Sequence, residues 1–157
     1  LENRIPAALQ RRLFAEQLRL AGKYGLPAVI HCVGMYGAVL EILKAWTSEY
    51  SPTMEERLEG KKERRFLLHA ASCSPEMARE FEKIGARFSF GLRELSSERG
   101  RRCAAAVSPD RLMVESDSAT SRKTMEETIA KLAEIRNADD IELSELLYSN
   151  FIEFYSK

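Results

Sequence analysis

One pattern recurs four times along this chain: a three-residue apolar run, then a stretch with helical spacing. The runs are Ala28-Val29-Ile30, Phe66-Leu67-Leu68, Phe88-Ser89-Phe90 and Leu112-Met113-Val114. They lack the apolar/polar alternation of a half-buried strand, which is the pattern of short strands covered on both faces. Strands that alternate with helices build βαβ units and a parallel sheet, so the expected class is α/β. Helices are predicted over Ala7 to Tyr24, about Met35 to Glu49, Ser74 to Gly85, Ser96 to Val107 and Thr124 to Arg136. A final helical pair, Ile141 to Leu147 and Asn150 to Tyr155, ends the pattern. Pro6 reads as a first-turn residue, Gly25 as the residue that closes the first helix, and Ser74-Pro75 as a cap followed by a first-position proline. Residues 50 to 65, with Ser51-Pro52, Gly60 and the run Lys61-Lys62-Glu63-Arg64-Arg65, read as a solvated polar connection with at most one helical turn.

Composition narrows the class. With 157 residues, 45% hydrophobic and 31% charged, the chain is of ordinary globular make-up and one domain is the natural count. Twenty-four basic side chains balance twenty-four acidic ones, so no global positive field is available to grip nucleic acid, and a polyanion site has to be local. No apolar run approaches the roughly 20 residues of a spanning helix, so no membrane association is expected. The first residues, Leu1-Glu2-Asn3-Arg4, include neither an initiator Met nor an apolar signal region, which reads as a fragment that is not secreted. Cys32, Cys73 and Cys103 are odd in number and lack CxxC spacing, which fits unpaired thiols in a cytoplasmic or nuclear setting.

In parallel α/β architectures the reactive groups collect at the carboxyl ends of the strands. His31 and His69, the chain's two histidines, each follow an apolar run directly, and Asp117 lies just beyond the fourth run in Glu115-Ser116-Asp117. Two imidazoles and a carboxylate at one mouth form a mixed N/O ligand set for Zn²⁺, Mn²⁺ or a similar ion. A single histidine after a strand is more often a polar terminator or a hydrogen-bonded core residue; equivalent positions in successive units raise the case for a site. Cys32 beside His31 offers a thiol nucleophile only if its pKa is lowered and a partner orients it. The basic runs at Lys61 to Arg65 and Arg99 to Arg102 are interleaved with or flanked by Glu63 and Glu98, and read as solvated surface. Tyr36, Trp46, Phe81 and Tyr148 read as packing residues on helices.

These residues resemble the TatD family of metal-dependent deoxyribonucleases. The likeness runs in order from Gln10-x-x-x-Phe14-x-x-Gln17-Leu18-x-Leu20-Ala21 through Leu26-Pro27-Ala28-Val29-Ile30-His31 and Leu68-His69 with Ser72 and Ser74. It continues through Gly85-Ala86-Arg87-Phe88-Ser89-Phe90-Gly91 and Pro109 to Asp117, and closes with Asn150-x-x-x-Phe154. The resemblance implies a TIM-type (β/α)8 barrel hydrolase that uses divalent metal ions, Zn, Mg or Mn, to activate water against a DNA phosphodiester. It implies that His31 and His69 ligate metal, that Asp117 ligates metal or orients and deprotonates the attacking water, and that Glu115 supports its loop by hydrogen bonding.

Two departures qualify that expectation. The family's first strand bears a His-x-His pair, and a Gly-Glu-x-Gly-Leu-Asp stretch follows later; neither occurs in this sequence. The chain therefore resembles the carboxyl-terminal half of the barrel, four of eight strands in a single partial domain, expected to be weakly active or inactive alone. Such a half is expected to self-associate or to join the missing amino-terminal half. The local motifs also differ: His31-Cys32-Val33 stands for His-x-Arg, His69-Ala70-Ala71-Ser72-Cys73 for His-Cys-Phe-Ser-Gly, and Ser116 and Ser118 flank Asp117 in place of Thr and Pro. The alternative expectation is a catalytically inactive barrel fragment that serves as an interaction or structural module.

Overall fold

The computed structural model describes residues 5–49, 64–117 and 121–156. In chain order these form α1 (Ala7–Tyr24), β1 (Ala28–His31), α2 (Tyr36–Ser48), β2 (Phe66–His69), α3 (Pro75–Glu82), β3 (Arg87–Phe90), α4 (Leu92–Ser96), α5 (Glu98–Ala106), a 3-10 turn (Pro109–Arg111), β4 (Leu112–Val114), α6 (Arg122–Arg136) and α7 (Asp140–Tyr155). The four strands pair in parallel in the order β1-β2-β3-β4. His31 stands opposite His69, Leu68 opposite Phe88, and Ser89 opposite Met113. No helix among the described residues is long and apolar enough to cross a membrane.

Local chemistry explains most boundaries. Gly25 takes φ +64°, and the amide of Leu26 behind it reaches the carbonyl of Ala21 at 2.9 Å, closing α1. Pro6 stands one residue outside α1, at the cap, not in its first turn. Ser74 Oγ accepts the amide of Met77 at 3.2 Å, with Pro75 at the first helical position. Asp139 accepts the amides of Ile141 and Glu142 and so starts α7.

Two helical expectations are corrected. The helix expected from Ser96 to Val107 is α5, shorter at its start, and α4 precedes it unannounced: Ser97 is extended, its Oγ donates to the carbonyl of Glu94 at 2.8 Å and accepts the amide of Gly100 at 3.0 Å, and so separates the two helices. A Cβ at Gly100 would stand 2.0 Å from the Glu94 carbonyl oxygen, so the junction requires glycine. The expected final pair is one continuous helix, because no residue between Leu147 and Asn150 breaks it and Leu143, Leu147, Asn150 and Phe154 form one buried stripe.

The two sheet faces also differ from expectation. Ile30, Phe66, Leu68, Phe88, Phe90 and Leu112 all face the helices in one large core. The opposite face holds Leu67 and Met113, covered by Phe154 of α7. By strand alternation it also presents Val29, His31, His69, Arg87 and Ser89. Val29 is 54% exposed, so β1 is covered on one face only.

Tyr36, Trp46 and Phe81 pack as expected, Tyr36 edge-on to Phe81 and Trp46 edge-on to Phe66. Tyr148 instead lies exposed on α7. Residues 50–63 and Ser118 lie outside the described residues. Arg64 and Arg65, read as solvated, are engaged: the Arg64 guanidinium lies 4.8 Å over the Trp46 ring, and Arg65 donates to the carbonyls of Phe154 and Ser156 at 2.6 Å each. The three cysteines are free thiols, all buried; the Sγ atoms of Cys73 and Cys103 lie 3.5 Å apart, a contact that their 30-residue separation does not announce.

Candidate functional site

At the carboxyl ends of the strands the polar face of the sheet gathers His31, His69, Ser89 and Glu115. The parallel register sets the His31 and His69 rings side by side, with centroids 5.5 Å apart. Beyond β4 the ladder continues for one residue, as the amide of Glu115 donates to the Phe90 carbonyl. This turns the Glu115 side chain across the sheet to the end of β2.

Glu115 Oε2 is the hub. It meets His69 Nδ1 at 2.6 Å, accepts the hydroxyl of Ser89 and takes the amide of Ala70 at 3.4 Å. Ala70 adopts φ +49°, a left-handed conformation that costs a non-glycine residue about 1 kcal/mol and here aims its amide at the carboxylate. Glu115 Oε1 is buried and has no hydrogen-bond partner among the described residues. Burial, and then the charge of Glu115, push the Tyr155 phenol above its ordinary value. With Nδ1 committed to Glu115, His69 presents Nε2 outward, 3.8 Å from Asp117 Oδ1. Asp117 has φ +48°, which an aspartate tolerates, and its side chain is 69% exposed.

The structure thus brings together His31 with His69, and His69 with both Glu115 and Asp117. Ser89 is the member that sequence reasoning missed; its signal is its position one strand over from His69 on the same face. Cys32 is buried, and burial pushes its thiol up, which opposes a role as a thiolate nucleophile.

The donor chemistry suits a divalent cation. A histidine whose Nδ1 is fixed by a carboxylate offers Nε2 as a ligand of set tautomer and direction, and here Nε2 lies 3.8 Å from Asp117 Oδ1. The number of donors is smaller: among the described residues no group of three or more His, Cys, Asp or Glu side chains could hold a metal ion. His69 and Asp117 are therefore the pair that would hold such an ion, with His31 beside them.

In parallel βα sheets, barrels and open sheets alike, the functional side chains gather at the carboxyl ends of the strands, where these histidines and carboxylates lie. The described residues form an α/β fold of four parallel strands and helices that is similar to part of the TatD TIM barrels. It overlays YJJV, a TatD homolog from Escherichia coli K12, with a TM-score of 0.77 at 20% identity, over 96% of this chain and 57% of that one. An uncharacterized amidohydrolase from Saccharomyces cerevisiae gives 0.77 at 12% identity, over 95% and 60%, and a TatD family hydrolase from Entamoeba histolytica 0.67 at 14%, over 91% and 55%. The chain thus spans a little over half the length of each of these structures. No curated protein matches the sequence. Residues 2–156 match the TatD related DNase family, and the chain belongs to that family.

Proposed function

We propose that this chain forms the carboxyl-terminal half of a TatD-like metal-dependent hydrolase, a deoxyribonuclease that cleaves DNA phosphodiester bonds with a metal-activated water. The observation that carries this reading is His69, held through Nδ1 by a buried carboxylate and directed through Nε2 at Asp117. A divalent ion, Zn, Mg or Mn, would supply the acidity that makes water a nucleophile near neutral pH. His69 and Asp117, with His31 alongside, would hold it, and Asp117, exposed at the mouth, would orient the water and take its proton. Glu115 keeps the His69 ring in place. Upstream strands that complete the barrel would pair with β1, the edge strand, and bring further ligands. DNA is the substrate, in a cytoplasmic or nuclear setting.

The second reading, an inactive interaction or structural module that self-associates, is favoured by the shortage of donors and by exposed Val29, Val33, Phe151 and Ile152 near the two sheet edges. Cleavage of DNA with Mg²⁺, Mn²⁺ and chelator controls separates the two. The chain alone is expected to cut slowly or not at all, and a longer chain with upstream strands to cut in a metal-dependent way. That activity should fall at least about 100-fold in His31→Ala, His69→Ala or Asp117→Asn. An inactive longer chain decides for the module.

A further inference from the structure

Cys73 and Cys103 play no part in the site described above, and the structure builds an enclosure around them. Cys73 lies in the loop that follows β2, four residues beyond His69, and Cys103 on α5; neither has any solvent exposure, and their sulfurs are in contact at 3.5 Å. Cys73 forms part of the wall of a surface pocket of about 470 Å³, together with Ser74, Pro75, Glu98, Arg99 and Arg102. Arg99 lies one helical turn before Cys103 and also approaches the ring of Tyr36 at 6.0 Å. The Tyr36 hydroxyl accepts the amide of Ser72, so the pocket, the sulfur pair and the loop behind His69 are one packed unit. Cys32 shares no sulfur contact with either among the described residues.

We propose that Cys73 and Cys103 are a peroxide-responsive dithiol, a modification site that closes to an intramolecular disulfide and ties the loop after His69 to α5. The contact needs to shorten only from 3.5 Å to the ~2.05 Å of a disulfide. The contact with Cys103 and burial push the Cys73 thiol well above the ordinary range, and the same contact, with the charge of Arg99 adding to it, lowers Cys103. Cys73 forms part of the pocket wall, so the pocket is the way in to the pair.

The chemistry balances with hydrogen peroxide as oxidant. One sulfur of the pair attacks a peroxide oxygen; the O–O bond breaks, and the departing hydroxide takes up the thiol proton as water. That cysteine is now a sulfenic acid. The other sulfur attacks it; the S–S bond forms, the S–O bond breaks, and the hydroxyl leaves as water with the second thiol's proton. Two thiols and one peroxide yield one disulfide and two waters.

The test treats the reduced full chain with hydrogen peroxide, alkylates it and maps it by mass spectrometry. The expected result is a loss of two hydrogens, a Cys73–Cys103 cross-linked peptide, an unmodified Cys32 and reversal by dithiothreitol. Cys32→Ala should leave this unchanged. In Cys73→Ala and in Cys103→Ala no cross-link should form, and the remaining thiol of the pair should be trapped by dimedone as a sulfenic acid. Three intact thiols in the treated native chain, a disulfide that includes Cys32, or oxidation of one cysteine to the sulfinic acid without cross-linking overturns the proposal. The native-chain map decides this even if either variant of the pair fails to fold.

Discussion

The two ends of the sheet are both polar, and they use their polarity in opposite ways. At the amino end, Arg65 binds the carbonyls of Phe154 and Ser156, and Arg87 binds the carbonyl of Asn150 and the carboxylate of Glu153. These are cations set against carbonyls and a carboxylate in the carboxyl-terminal turns of α7, where the helix dipole also favours them. Asn150 of the same helix donates to the carbonyls of Pro109 and Leu112 at 2.8 Å each, pinning α7 to the start of β4. At the carboxyl end, Glu115 keeps one buried oxygen without a partner, Asp117 stands in solvent, and His31 makes only a ring contact among the described residues. Saturated polar groups hold a fold together; groups left with spare capacity are placed for something that arrives later.

Substitutions at the amino end therefore act on stability, and those at the carboxyl end on chemistry. Arg87→Met removes a bond to a buried carbonyl, an ion pair at 2.8 Å and a contact with the Phe154 ring. It should cost about 3 kcal/mol in urea unfolding. Asn150→Ala removes two bonds to backbone carbonyls and should cost about 2 kcal/mol by the same measurement. Asp117→Asn and His31→Ala, both at exposed side chains, should stay within about 0.5 kcal/mol. A loss near that of Arg87→Met would erase the contrast between the ends.

The smallest effect is a pH dependence. The hydrogen bond from Arg87 holds the Glu153 carboxyl below its ordinary value. A depressed carboxyl contributes stability above its unfolded pKa and loses it as pH falls through the folded one. The pair's contribution should thus fade as the pH falls below about 4, so stability drops more steeply there with Glu153 intact, and Glu153→Gln should flatten that limb. An unchanged acid limb would mean that this exposed pair contributes nothing.

What was legible in the sequence is what short-range chemistry sets. The α1 boundaries, the Ser74 cap and the order of four parallel strands follow from periodicity, caps and apolar runs, and the placement of His31, His69 and Asp117 follows from their position just after those runs. The polar face of the sheet stayed hidden because Leu67 and Met113, which share it, are apolar and mask the alternation. The break at Ser97 depends on how closely α5 approaches Glu94, which no local pattern records. Arg65 and Arg87 find their carbonyls 89 and 63 residues away, so that Arg65, read with its run as surface, in fact faces the carboxyl end of a helix. Ser89 enters the site only through Glu115, 26 residues on.

The most direct test of the account is calorimetric titration of the chain with Mn²⁺ and Zn²⁺. One ion per chain should bind weakly, with a dissociation constant on the order of 10–100 μM. Binding should be lost in His69→Ala and Asp117→Asn, and retained in Arg111→Ala at the opposite end of the sheet. If no ion binds, or if His69→Ala binds as the native chain does, the carboxyl end of the sheet is not the metal site that this account places there.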